Sequence, residues 1–88
     1  IVAPASPPFN PTEIDFALEW LGKLGLKYKL GKNILKTYSD LAGKDRQRLE
    51  DLHEAFSDPQ ISAILPVRGG NGVCRLLPEL DFDLIRAN

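Results

Sequence analysis

Three short apolar runs, Ile1–Pro4, Leu26–Leu30 and Ile61–Val67, alternate along the chain with two stretches of helical spacing. Ile1-Val2-Ala3-Pro4 is closed by proline and suits a buried first strand. Leu26-Lys27-Tyr28-Lys29-Leu30 alternates perfectly, as a half-buried strand does, and its lysines suit a sheet edge, where they discourage mispairing. Ile61–Val67 is the third run. Strand, helix, strand, helix, strand at these spacings implies two right-handed βαβ crossovers. The expected fold is therefore α/β: a small parallel sheet of order 2-1-3 with helices on both faces, a Rossmann- or flavodoxin-like three-layer module. The third strand is left with an open edge, and parallel sheets cover or extend such edges. A further strand beyond Asn88 is expected on that ground, as is self-association, a homodimer formed through the same edge. Pro66 disturbs the scheme because it removes a ladder donor. Either its nitrogen faces an unpaired edge, or the strand ends earlier.

The helices are bounded more sharply. Asn10 offers a cap, Pro11 has φ preset for the first helical position, and Glu13 sits where a capping box places its acid. Ile14, Ala17, Leu18, Leu21 and Leu24 then form one apolar stripe, and Gly25 is the stop. Gly31–Gly43 has no clean period and reads as a loop with at most a turn of helix. From Asp45 the helical pattern returns, with Leu49, Leu52, His53 and Phe56 on one face. Lys44 is a poor cap for it. The mixed charges of Lys44–Glu54 read as a solvated face, and Asp58-Pro59 ends the helix. A short helix over Val73–Leu77 and a last one over Phe82–Ala87 complete the series.

At 88 residues the chain has room for one domain, spanning 1–88, with a modest core. Its 43% hydrophobic and 26% charged residues are ordinary for a soluble globular protein. A formal charge of −1 gives no electrostatic case for nucleic acid or an anionic membrane. No apolar run approaches the roughly 20 residues of a spanning helix, and IVAPASPPF lacks the layout of a signal peptide. One cysteine cannot form an internal disulfide, and with one histidine it makes a poor metal site. A reducing, cytoplasmic setting and no cofactor are the expectation. The chain starts without methionine and stops just after a helical pattern, which reads as a fragment or a trimmed piece.

Arg68-Gly69-Gly70-Asn71-Gly72 closes the third apolar run and is the expected ligand site. In open α/β folds ligands collect at the carboxyl ends of strands, where a glycine turn lets backbone amides face the cleft. The cluster lacks a Walker lysine and the full dinucleotide spacing, so it does not read as a nucleotide cradle. Arg68 has two candidate partners, a substrate carboxylate or an acid within Glu79–Asp83. Cys74 stands near a helix start, where thiol reactivity can rise, but reads as a small buried residue. His53 lies on an apolar helical stripe and reads as a partly buried packing residue. Ser39, in Tyr38-Ser39-Asp40, falls in an irregular loop and reads as a turn serine.

Five segments occur in order: IVAPASPP, LGKNILK followed by LAG, RLEDLHEAFSDP, AILPVRGGNG and RLLPELDFDLIRAN. Together they resemble the amino-terminal domain of the serine LD-carboxypeptidases, a family whose relatives include microcin C immunity proteins. The resemblance implies a larger two-domain bacterial hydrolase of the cytoplasm, active in peptidoglycan recycling, that releases the terminal D-alanine of cell-wall tetrapeptides at an L,D bond. It implies a serine–histidine–glutamate triad without a metal. In the family the nucleophile lies in a G-Y-S-D turn just after the segment matching Asp83–Asn88, and the other two residues come from a carboxy-terminal domain. None of these is in this chain, so it is expected to be inactive alone. Arg68, Gly69, Gly70 and Gly72 match the family's R-G-G-x-G segment. The resemblance assigns an oxyanion-hole amide to Gly70, with Gly69 as neighbour; Arg68 and Asn71 are the loop's expected substrate-binding residues. Preorganised N–H donors suit an acyl-transfer intermediate, and glycine permits close approach. Asn71 stands where many relatives carry tyrosine, which sets this loop apart. The implied partner is a muropeptide bound by the full-length enzyme, or an acyl adenylate of the microcin type. The alternative, of a different class, is an isolated or engineered α/β folding module without catalytic function.

Overall fold

The computed structural model describes residues 1–88. Helix α1 spans Thr12–Lys23. Pro11 is already helical at φ −53° and has no side chain to cap with, so Asn10 Oδ1 takes the Thr12 N–H (3.0 Å). Glu13 Oε2 reaches back to the Phe9 N–H (3.1 Å). The helix ends in a Schellman turn: Leu26 N–H donates to Leu21 O (2.9 Å) and Gly25 N–H to Gly22 O (3.0 Å). Gly25 sits between them at φ +74°, where a glycine carries no steric penalty.

Helix α2 covers Asp45–Ser57. Gln47 Oε1 accepts from the Lys44 N–H (3.0 Å), the one half of a capping box that a lysine cap allows, since an ammonium has no lone pair to return. At the far end Asp58 Oδ1 accepts from Gln60 N–H (2.9 Å), and Pro59 follows. A 3₁₀ segment, Asn71–Glu79, and a short helix α3, Phe82–Ala87, both pack on α2. Asp81 caps α3 through the Leu84 N–H (3.0 Å).

The expected parallel sheet does not form. No strand is present, and the parallel pairing is confined to an isolated bridge between Val2 and Pro66. Val2 N–H donates to Leu65 O (3.0 Å) and Val67 N–H to Val2 O (2.8 Å). On its other side Ile1 accepts from Gly31 N–H (2.8 Å) and its nitrogen donates to Lys29 O (2.7 Å). Both pairings stop there for identifiable reasons. The next parallel rung beyond Val67 would need a donor at position 4, and Pro4 has none. Beyond Gly31 the ladder would continue from Ala3 N–H to Gly31 O, which is not made, and then from Asn33 N–H to Ala3 O, but the Asn33 amide points instead to Asp51 (3.0 Å). Pro66 is not asked for a donor, because the bridge draws its donors from Val2 and Val67. Leu26–Leu30 is exposed throughout rather than half-buried. Without a third strand, the strand edge expected to mediate self-association is not formed.

The core lies where the N-terminal segment meets α1: Ala3, Ile14, Ile34 and Ala42 are buried together, with Ile1, Leu18 and Val67 against them. Two of its four buried members are alanines, and along the α1 stripe burial falls from Ile14 through the half-buried Ala17, Leu18 and Leu21 to Leu24. Ile14 is buried, whereas Leu24 is 68% exposed, as are Phe16 (67%) and Trp20 (58%) on the same helix. No helix is long and apolar enough to cross a membrane.

Candidate functional site

The glycine loop is held from its two ends. The Val67 N–H bond to Val2 fixes its start. At its finish the carbonyl of Gly72 accepts from Arg48 Nη1 (2.8 Å). Gly72 is buried, and a Cβ there would stand 2.5 Å from Leu41 Cδ2 and 3.1 Å from Arg48 Nη1. Gly70 adopts φ +147°, and its Cβ position lies 2.7 Å from Ser6 Oγ and 3.2 Å from Ala5 Cβ, so a side chain is excluded by both backbone and space. Gly69, Gly70 and Asn71 are exposed. The amides of Gly69 and Gly70 donate to no other group of the chain.

Arg68 meets none of the acids in Glu79–Asp83. Its Nη1 donates to Pro7 O (3.0 Å) and its guanidinium lies 3.6 Å from the Phe9 ring centroid. A planar cation stacks well on an aromatic face, so Arg68 ties the glycine loop to the proline-rich turn that precedes α1. Asn71 opens the 3₁₀ segment. Cys74 is exposed, not buried as its position suggested. The short helix expected over Val73–Leu77 is instead part of that longer 3₁₀ stretch, which turns Cys74 outward. His53 is half-buried, as expected of a packing residue, and its Nε2 accepts from the Asp81 N–H (3.0 Å). Ser39 sits in a tight turn closed by reciprocal Tyr38–Leu41 backbone bonds, at φ +56°, and is exposed.

The side chains beneath the loop are those that sequence reading assigned to a solvated face. Arg48 and Asp51 are 1% and 4% exposed. Arg48 donates from Nη1 to Pro4 O (2.7 Å) as well as to Gly72 O, and from Nε to Gly43 O (3.2 Å). Its Nη2 pairs with Asp45, which also receives Arg75 Nε (3.2 Å). One guanidinium thereby satisfies three carbonyls from three loops, a use of its planar fork that no point-like ammonium can reproduce. Asp51 accepts from Asn33 N–H (3.0 Å) and Nδ2 (2.9 Å). Burial pushes its carboxyl above the ordinary 3.8, and the Asn33 donors pull it partly back. The signal available in the sequence was positional. Arg48 and Asp51 stand three apart on one face of α2, and the proline and glycine loops around them leave carbonyls without ladder partners.

Residues 1–88 match the family model of the LD-carboxypeptidase N-terminal domain. The chain belongs to that family. Among LD-carboxypeptidase relatives, a probable murein peptide carboxypeptidase of Bacillus subtilis is 48% identical over 98% of this chain and 27% of its own length. A murein tetrapeptide carboxypeptidase of Pseudomonas aeruginosa is 41% identical over 99% of this chain and 28% of its own. The chain thus spans little more than a quarter of either relative. The crystal structure of an MccF-like protein from Bacillus anthracis superposes with a TM-score of 0.91 at 31% identity, covering 99% of this chain and 27% of that one. The structure of MccF in complex with glutamyl sulfamoyl guanosine gives 0.87 at 31% identity, with the same coverage of both chains.

Proposed function

We propose that this chain serves as the amino-terminal domain of a cytoplasmic serine LD-carboxypeptidase acting on muropeptides, and that Gly70 supplies one oxyanion-hole amide. The observation that carries the reading is that Gly69 and Gly70 are exposed residues whose amides donate to nothing within the chain. When a serine hydroxyl attacks the carbonyl at the L,D bond, charge gathers on the carbonyl oxygen. A backbone N–H already aimed at that oxygen stabilises the intermediate without reorganising. Glycine at position 70 keeps the approach open, since no Cβ shields the peptide. Arg68 retains guanidinium donors beyond the one given to Pro7, and these face the carboxylate end of a bound peptide in this reading, with Asn71 beside it. The names of the relatives at 48% and 41% identity favour a muropeptide over an acyl adenylate.

The nucleophile, its base and the orienting acid come from outside these 88 residues in this reading, so the chain alone should be inert. The test is a chimera in which this chain replaces the matched amino-terminal segment of the Bacillus subtilis relative. D-alanine release from an L,D-tetrapeptide by the chimera, and none by the chain alone, is the expected result. A folded chimera without turnover, or turnover by the isolated chain, overturns the reading. Offering the chimera an aminoacyl sulfamoyl adenosine separates the two substrate classes. A homodimer belongs to the same proposal, and sedimentation equilibrium decides it: a monomer at every concentration removes it.

A further inference from the structure

No backbone amide from Arg68 to Gly70 donates a hydrogen bond. Glycines at 69 and 70 leave its dihedrals free over a wide range. The directions of its amides are therefore set from outside. Arg48 Nη1 holds Gly72 O at 2.8 Å and Pro4 O at 2.7 Å. Pro4 leads directly into Ala5 and Ser6, the residues that close on Gly70. A single nitrogen thus fixes both the far end of the loop and the wall it leans on. The rest of the guanidinium is held in turn by Gly43 O and by Asp45. That side chain is fully covered, so solvent does not compete for these donors.

We propose that Arg48 is a positioning residue for the oxyanion donor: through Gly72 and Pro4 it sets where the Gly69 and Gly70 amides point. The role in catalysis rests on the reading of Gly70 given above, whereas the control of loop geometry does not. Arg48 itself stays buried beneath the loop and touches no substrate. Lysine cannot replace it, because one ammonium on a flexible stem cannot serve the Pro4–Gly72 pair and Gly43 together.

The test compares wild type with Arg48→Lys in two experiments. In proton–nitrogen spectra of the 88-residue chain, the Gly69 and Gly70 amide resonances should move or split, while those of α1 stay in place. In the chimera, kcat should fall about tenfold to a hundredfold with KM held within about twofold, the pattern of a misaimed transition-state donor. A purely structural role would lower the unfolding midpoint yet leave the glycine resonances and the kcat of folded enzyme unchanged, and that result overturns the proposal. If Arg48→Lys does not fold, Asp45→Asn takes its place, since it loosens the Nη2 anchor while leaving the arginine. Smaller movements of the same two amides support the proposal, and unmoved ones refute it. An inactive wild-type chimera would sink the oxyanion reading alone, because the spectra still decide whether Arg48 controls the loop.

Discussion

Arg48 Nη1 lies 2.8 Å from the carbonyl oxygen of Gly72, so helix α2 grips the end of the glycine loop directly. The bond crosses from the interior to the residue where the loop turns into the 3₁₀ segment. Much of the chain's behaviour should follow from it.

Replacing Arg48 by methionine removes a buried cation and leaves the carbonyls of Pro4, Gly43 and Gly72 without their donor. Asp45, left behind, is 41% exposed and keeps Arg75, so the cost comes from the stranded carbonyls, about 1–3 kcal/mol for each that stays buried. Urea denaturation should show a loss of that order, and a loss below about 1 kcal/mol would mean water replaces the guanidinium at low cost.

Gly70→Ala meets two separate penalties, a φ of +147° and a Cβ 2.7 Å from Ser6 Oγ. A destabilisation of roughly 1–3 kcal/mol is expected. Adding Ser6→Ala should recover only part of it, because the backbone term and the nearby Ala5 Cβ remain. Full recovery in the double variant would show that the crowding alone matters.

Asp51 gives a pH signature of unusual sign. Its carboxyl is raised above 3.8 by burial, so the folded chain holds this proton more tightly than the unfolded one. Its contribution to stability therefore falls as pH climbs from 3.8 towards the raised value. Asp58 behaves oppositely: its bond to Lys29 holds it below 3.8, and the stabilisation present above that value is lost as pH falls through the lowered one. Thermal melts across the acid range should show Asp51→Asn flattening the first trend and Asp58→Asn the second. Parallel curves for wild type and Asp51→Asn would contradict the assignment.

Cys74 is exposed and unpaired, so a thiol reagent should label the native chain to one equivalent without denaturant. Labelling that appears only on unfolding would place the side chain inside instead.

The helices were legible in the sequence because their signals are local. Asn10-Pro11 and Gly25 bracket α1, Asp58-Pro59 ends α2, and α3 falls on Phe82–Ala87 as its pattern indicates. The sheet was not, because rung formation depends on what each amide finds in space. Leu26–Leu30 alternates as a strand should, yet the backbone beyond it turns its Asn33 amide to a carboxylate on α2. Pro4 then removes a donor that no periodicity count registers. Of the candidate site, the glycine loop was visible from composition and motif. Its support was hidden, because Arg48 and Asp51 lie within a run of charges whose ordinary place is in water.

The three carbonyls gathered by Arg48 come from positions 4, 43 and 72. Such a hub has no half-built form worth occupying. Until all three segments arrive, the guanidinium is better solvated outside, and once they have, releasing any one strands a charge in the interior. The amino terminus, the approach to α2 and the glycine loop should therefore assemble late and come apart as one unit, with native-state hydrogen exchange reporting a common opening energy for all three.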